Sequence, residues 1–164
     1  MYRKILIPVD LSERHAPVFE LARSLLSEGG TLILLHVVES IAGARDAEIS
    51  KFYERIEHQG EECLARWTRE LQVSAGTVEA VLKIGRRGSE IVRCATEHDC
   101  DLILMSSRAV EPVRPDGGFG TTSHQVALLA PCSVMLVRGA STRSGSIPKI
   151  RTTSPTLLSA RAET

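Results

Sequence analysis

Four short apolar runs, none interrupted by Asp, Glu, Lys or Arg, constrain the fold of this chain more than any other feature. They are Ile5–Val9 (ILIPV), Thr31–Val38 (TLILLHVV), Leu102–Met105 (LILM) and Val134–Val137 (VMLV). Continuous runs of this length mark strands covered on both faces, as in parallel sheets. The segments between them have helical spacing. Val18, Leu21, Ala22, Leu25 and Leu26 form one apolar stripe, with Ser12 placed to cap it, Glu13 in its first turn and Gly29-Gly30 to end it. Glu39–Ala47 reads as a loop into a longer helix whose stripe is Ile49, Phe52, Tyr53, Ile56, Cys63, Leu64, Trp67 and Leu71, broken at Gly76. Glu62, Arg66 and Glu70 give i,i+4 charge pairs on its other face. Thr77–Ile84 alternates as an edge strand does, Gly85 and Gly88 bracket a turn, and Ser89–His98 is a helix burying Ile91, Val92, Cys94 and Ala95. After the Leu102–Met105 run come a Ser-Ser-Arg-Ala turn, a loop with Pro115-Asp116-Gly117-Gly118, and a short helix opened by Gly120-Thr121-Thr122-Ser123 and stopped by Pro131.

The resulting order is βαβαβαβαβ, which predicts a parallel, doubly wound α/β sheet with right-handed crossovers. In such sheets ligands bind at the carboxyl ends of the strands, where the strand order reverses. Those ends carry Asp10, Val38-Glu39 and Ser106–Ala109. If the first and fourth strands are neighbours, Asp10 faces the Ser106 turn. A turn leading to a helix start also points backbone N–H groups and hydroxyls at one spot, where an anion can dock.

Residues 1–139 suit one domain, and the Ser-, Thr-, Arg- and Pro-rich segment 140–164 reads as a disordered tail with too little apolar surface to offset ordering entropy. A formal net charge of zero gives no broad pull toward nucleic acid or an acidic membrane. The opening MYRKILIPVD has too short an apolar core for a signal peptide. Four cysteines (Cys63, Cys94, Cys100, Cys132) without CxxC spacing read as reduced thiols, so a cytoplasmic location is expected.

Several stretches together resemble the universal stress protein family: MYRKILIPVDLSE at the start, LLHVVES at the second strand, IGRRGSEIVRCATEHDCDLILMSSR, and GTTSHQVALLAPCSVMLVR. The resemblance implies a Rossmann-like, five-stranded parallel sheet in order 3-2-1-4-5 with helices on both faces. It implies a homodimer paired through the last strand (Val134–Val137) and a regulatory role in stress with an unknown protein partner; the zero net charge and the lack of an apolar run near the ~20 residues that span a bilayer speak against nucleic acid or membrane as a partner. Many members bind ATP or AMP, with magnesium accompanying ATP. On that pattern Pro8, Val9 and Asp10 line the ribose and adenine side, Val38 offers backbone groups to adenine, Met105 ends the fourth strand with Ser106, Arg108 and Ala109 in the turn after it, and Gly120, Thr121, Thr122 and Ser123 hold phosphates.

The family's phosphate pattern is G-x-x-G, nine residues, then G-[S/T]. Here Ser106 and Ala109 stand at the two upstream glycines, ten residues separate Ala109 from Gly120, and Gly120-Thr121 keeps the last pair. If position 109 requires a positive φ, alanine there costs about 1–2 kcal/mol. Ser106 keeps a hydroxyl that can donate to a phosphate oxygen, and Arg108 offers a charge-assisted contact. Plainer roles stand beside these. Asp10 can cap the turn into the first helix, Thr121–Ser123 can be a cap cluster, and Val38 can be core.

Other chemistries lack their residues. There is no G-x-x-x-x-G-K-[ST], no dinucleotide fingerprint after the first strand, and no G-x-S-x-G. Asp10 has no acidic neighbour to hold the magnesium of an aspartyl phosphotransferase. His36, His58, His98 and His124 lack ligand spacing, and Cys132 reads as a small packing residue. Two functions remain: a nucleotide-binding regulatory module that is not an enzyme beyond slow ATP hydrolysis, or a dimerising interaction protein of the same fold that has lost the nucleotide.

Overall fold

A computed structural model describes residues 1–10, 15–39, 47–107 and 121–138, with the backbone alone for 47–53. Within them the chain runs β1 (Tyr2–Val9), α1 (Ala16–Leu25), β2 (Leu26–Glu39), α2 (Ala47–Glu70), β3 (Gly76–Gly85), α3 (Arg87–Glu97), β4 (Leu102–Ser107), α4 (Thr122–Leu129) and β5 (Ser133–Arg138). The strands form one parallel sheet in the order β3-β2-β1-β4-β5. This is the order and the α/β class expected.

Strand alternation divides the core into two layers. Ile5, Ile7 and Val9 of β1, Leu32 and Leu34 of β2, and Leu102 and Leu104 of β4 meet Val18, Phe19 and Ala22 of α1 and Leu64 and Trp67 of α2. On the opposite face Leu6, Ile33, Leu35, Val37, Ile103 and Met105 meet Ile91, Cys94 and Ala95 of α3 and Val126 of α4. Central strands buried on both faces explain the unbroken apolar runs. Each fully buried Leu or Ile contributes about 1.5–3 kcal/mol by leaving water. The amino ends of β1 and β4 are tied by Asp101, whose carboxylate accepts from Arg3 N at 2.7 Å and Lys4 N at 3.0 Å. Lys4 Nζ donates to the His98 carbonyl at 2.8 Å beside them.

Some boundaries differ from expectation. The first helix stops at Leu25, Leu26 is already extended (φ −69, ψ 133), and the glycine pair lies inside β2. Gly29 takes φ +72, which a side chain rarely adopts. A β-carbon on Gly30 would stand 2.9 Å from the carbonyl oxygens of Arg3 and Ser27, and one on Gly76 would stand 2.6 Å from Gly30 O. These glycines permit close backbone crossings and are not helix stops. Accordingly α2 ends at Glu70, ahead of Gly76, which opens β3. β3 is an edge strand, as its alternation suggested. Gly88 lies within α3, which begins two residues earlier than expected, and Val92 is half-buried. Ser12 lies outside the described residues. His15 precedes α1 without a side-chain cap bond, and a proline occupies the first turn.

Candidate functional site

The strand order reverses between β1 and β4. They pair at Ile5↔Leu102 and Leu6↔Ile103. Further along, each is laddered only to its outer neighbour, β1 to β2 as far as Val9↔His36 and β4 to β5 as far as Ser107↔Arg138. Carried on, the β1–β4 register sets Val9 level with Ser106. The carboxyl ends of these central strands are therefore the place where an open α/β sheet receives a ligand.

Pro8, Val9 and Asp10 close β1, with Val9 buried and the Asp10 side chain 56% exposed. Met105 is buried and Ser106 half-buried at the end of β4. Ser106 pairs with Val137, and among the described residues Asp99 is the only non-glycine with a positive φ. Val38, 3% exposed near the end of β2, is core, as its plainer reading held. Thr121 caps α4, its hydroxyl oxygen accepting from His124 N at 3.3 Å, while Thr122 and Ser123 are half-buried in the first turn. The capping role expected of Thr121 is thus observed. Because α4 follows β4 in a parallel sheet, its N-terminus lies at the carboxyl end of the strands, and the positive end of its dipole suits an anion. Arg108, Ala109 and Gly120 lie outside the described residues.

His15 was missed in the sequence. It is 1% exposed, beneath Asp10. Its Nε2 lies 3.1 Å from Asp10 Oδ1 and 3.2 Å from the Asp10 backbone N and O. Its ring stacks on Phe19 at 5.9 Å and meets Trp67 edge-on at 5.5 Å. The available signal was Phe19 four residues on, which aligns the imidazole with the buried face of α1.

The other histidines have structural partners. His36 Nδ1 donates to Val9 O at 3.0 Å, His98 Nδ1 donates to Cys94 O at 3.0 Å, and His58 pairs with Glu62 at 3.4 Å on the surface of α2. The thiols near the start of β4 are not poised as nucleophiles. Burial pushes Cys94 up to about 11 and Cys100 up to about 12, and it raises Cys132 as well. Among the described residues, no group of three or more His, Cys, Asp or Glu could hold a metal ion, and no helix is long and apolar enough to cross a membrane.

The model of the universal stress protein family matches residues 1–138. Universal stress protein YxiE of Bacillus subtilis is 25% identical over 149 residues, covering 84% of this chain and all of that protein. The structure of universal stress protein UspA from Lactobacillus plantarum superposes with a TM-score of 0.66 at 22% identity, covering 84% of this chain and 98% of that one. A universal stress protein family protein from Arabidopsis thaliana, solved with AMP bound, gives a TM-score of 0.56 at 21% identity, covering 82% of this chain and 90% of its own.

Proposed function

The chain belongs to the universal stress protein family, and from that membership we propose that it is a cytoplasmic stress-response regulator that binds an adenine nucleotide, ATP or AMP, at the carboxyl ends of β1 and β4. The observation that carries this reading is the gathering of Asp10, Ser106 and the Thr121–Ser123 helix start on one edge of the sheet, where the strand order reverses. The AMP in the Arabidopsis relative supports it. The chemistry suits the ligand. The exposed Asp10 carboxylate can accept from ribose hydroxyls, the apolar Val9 and Met105 suit the base, and the α4 start supplies amides for phosphate. With ATP, magnesium would be held chiefly by the phosphates themselves.

A second reading has its own observation: Ser106 and Ala109 replace the two glycines of the phosphate pattern. On that reading the chain is a dimerising interaction protein without a nucleotide. Mass spectrometry of denatured, freshly purified protein separates the two, since co-purified AMP or ATP supports the first. Gly120→Val should then abolish nucleotide uptake in calorimetric titration with the fold intact, and equal affinities would move the site elsewhere.

In either case we infer a homodimer built on β5 and α4. β5 is an edge strand with Leu136 42% exposed, and α4 turns Leu128 and Leu129, 71% and 65% exposed, to the outside while Val126 faces the core. A second copy would cover both the unpaired edge and these leucines. A regulatory protein partner would then read the state of the dimer.

A further inference from the structure

Two buried histidines hold one peptide at the end of β1, one at its oxygen and one at its nitrogen. His36 of β2, 7% exposed, donates from Nδ1 to the Val9 carbonyl at 3.0 Å. That oxygen can only accept, so the proton of the His36 ring sits on Nδ1. The N–H of the same peptide, that of Asp10, donates to Nε2 of His15, 1% exposed, at 3.2 Å. An amide N–H can only donate, so Nε2 is bare and the neutral His15 ring carries its proton on Nδ1. Asp10 Oδ1 and O flank this nitrogen at 3.1 and 3.2 Å without receiving a proton from it. His15 Nδ1 is buried with no hydrogen-bond partner among the described residues. A side chain that only filled the space between Phe19 and Trp67 would need no nitrogen, and an unpaired buried donor is costly to keep. What the ring gains in exchange is the Asp10 amide.

We propose that His36 and His15 are positioning residues for the candidate site: together they clamp the Val9–Asp10 peptide and fix where β1 delivers Asp10. The peptide lies beyond the β1–β4 ladder, which stops at Leu6↔Ile103, so its place is set from the helix side. Neither ring is loose. His15 is enclosed by Phe19 of α1 and Trp67 of α2, and His36 lies against Gly60 of α2, where a β-carbon would stand 2.9 Å from its Cδ2. The clamp thus carries the packing of both helices to the strand end. Neither histidine meets a ligand. The Asp10 amide is spent on His15, so a ligand at the end of β1 is met by other groups. The ligand in this account rests on the nucleotide reading given above, whereas the clamp does not.

Measurements on the full chain test this. Nitrogen-15 NMR of the histidine rings at about pH 8, above the ordinary histidine range and without nucleotide, should find both His15 and His36 as the Nδ1–H tautomer, the less common form in water. The Asp10 amide should exchange with solvent roughly tenfold faster in His15→Phe, while the Leu6 amide inside the sheet keeps its rate. A proton on Nε2 of either ring, or an Asp10 amide indifferent to His15→Phe, overturns the proposal. AMP titration should then show His36→Leu weakening binding roughly tenfold. His36→Asn, whose side-chain amide nitrogen can stand where Nδ1 stood, should recover most of that loss, which a general loosening of the core would not allow. Equal losses in the two variants, or none in either, would also overturn the proposal. If the wild type binds no AMP, the nucleotide reading falls and the tautomers and the amide exchange decide the clamp. If a variant fails to fold, the tautomers of the wild type decide it.

Discussion

Replacing Gly60 with alanine measures how firmly α2 is seated on the sheet beside the candidate site. On an exposed helical face the change would stabilise the chain by about 1 kcal/mol, because glycine is a poor helix former and loses more freedom on folding. Gly60 is buried, however, and a β-carbon there would stand 2.7 Å from Leu82 Cδ1 and 2.9 Å from His36 Cδ2. Both separations lie well inside the ~3.5 Å at which carbon atoms rest. The Leu82 methyl ends a flexible, half-buried side chain and can swing away. The imidazole has less freedom, since it is 7% exposed and held by its bond to Val9 O at 3.0 Å. Accommodating the methyl then costs about 1–3 kcal/mol as overpacking strain, or about 1 kcal/mol or more if His36 releases Val9. Set against the helical gain, the net is a destabilisation of about 1 kcal/mol, or a midpoint lower by about 2–4 °C in a domain of this size. Urea unfolding followed by the fluorescence of Trp67, the only tryptophan in the chain and 3% exposed, measures it directly. A gain of about 1 kcal/mol with an unchanged m-value would refute the reasoning, because it would place α2 clear of His36.

Four further outcomes are expected. Cys94 and Cys100, pushed by burial to about 11 and about 12, should resist a thiol reagent at about pH 8 in the folded chain and react in urea; equal rates in both states would contradict their burial. Because the unfolded thiols ionise from 9.0, the folded state alone keeps these protons as pH rises above that value. Their contribution to stability is complete below pH 9 and should fall as pH climbs toward 11–12, with a slope approaching about 1.4 kcal/mol per pH unit for each thiol. Leu136→Pro should remove a ladder donor and weaken the dimer in light scattering, and a wild type that is monomeric at micromolar concentration would end the dimer proposal. Phosphate release from ATP should stay far below the ~1–100 s⁻¹ of dedicated kinases, and turnover of several per second that is lost in Asp10→Asn would make the protein an enzyme.

How much of this was legible in the sequence depended on whether the cause was local. Strands covered on both faces must be apolar throughout, so β1, β2 and β4 could be read from their unbroken runs; β5 gives the same signal although it is an edge strand with none of its residues fully buried. The edge position of β3 followed from its weaker alternation. The boundary between α1 and β2 could not be read in that way. Leu25 and Leu26 satisfy a helical stripe as well as a strand start, and Gly29-Gly30 resembles a helix stop. What decides the boundary is the crossing of Gly30 with the carbonyls of Arg3 and Ser27, a tertiary contact. His15 was hidden for the same reason. Nothing beside it in the sequence announces that Trp67, distant along the chain, completes its enclosure. Asp10 and Thr121 were legible because they sit at element ends, where a strand must stop and a helix must be capped.

The structure also sharpens what the departures from the phosphate pattern mean. A glycine in such a pattern serves either a left-handed backbone or close approach of a ligand. At position 106 the first requirement is absent. Ser106 lies in β4, pairs with Val137 and has no positive φ, so a residue with a side chain sits there without backbone strain. The remaining cost is steric: one hydroxymethyl group, half-buried, at the point where a phosphate would approach. That group is itself a hydrogen-bond donor, so part of what it blocks it can also replace. The loss of the first glycine therefore weighs less against nucleotide binding than the pattern alone suggests. Ser106→Gly discriminates between the two effects in an AMP titration. Tighter binding in the variant would identify the side chain as an obstruction, whereas weaker binding would identify its hydroxyl as a contact.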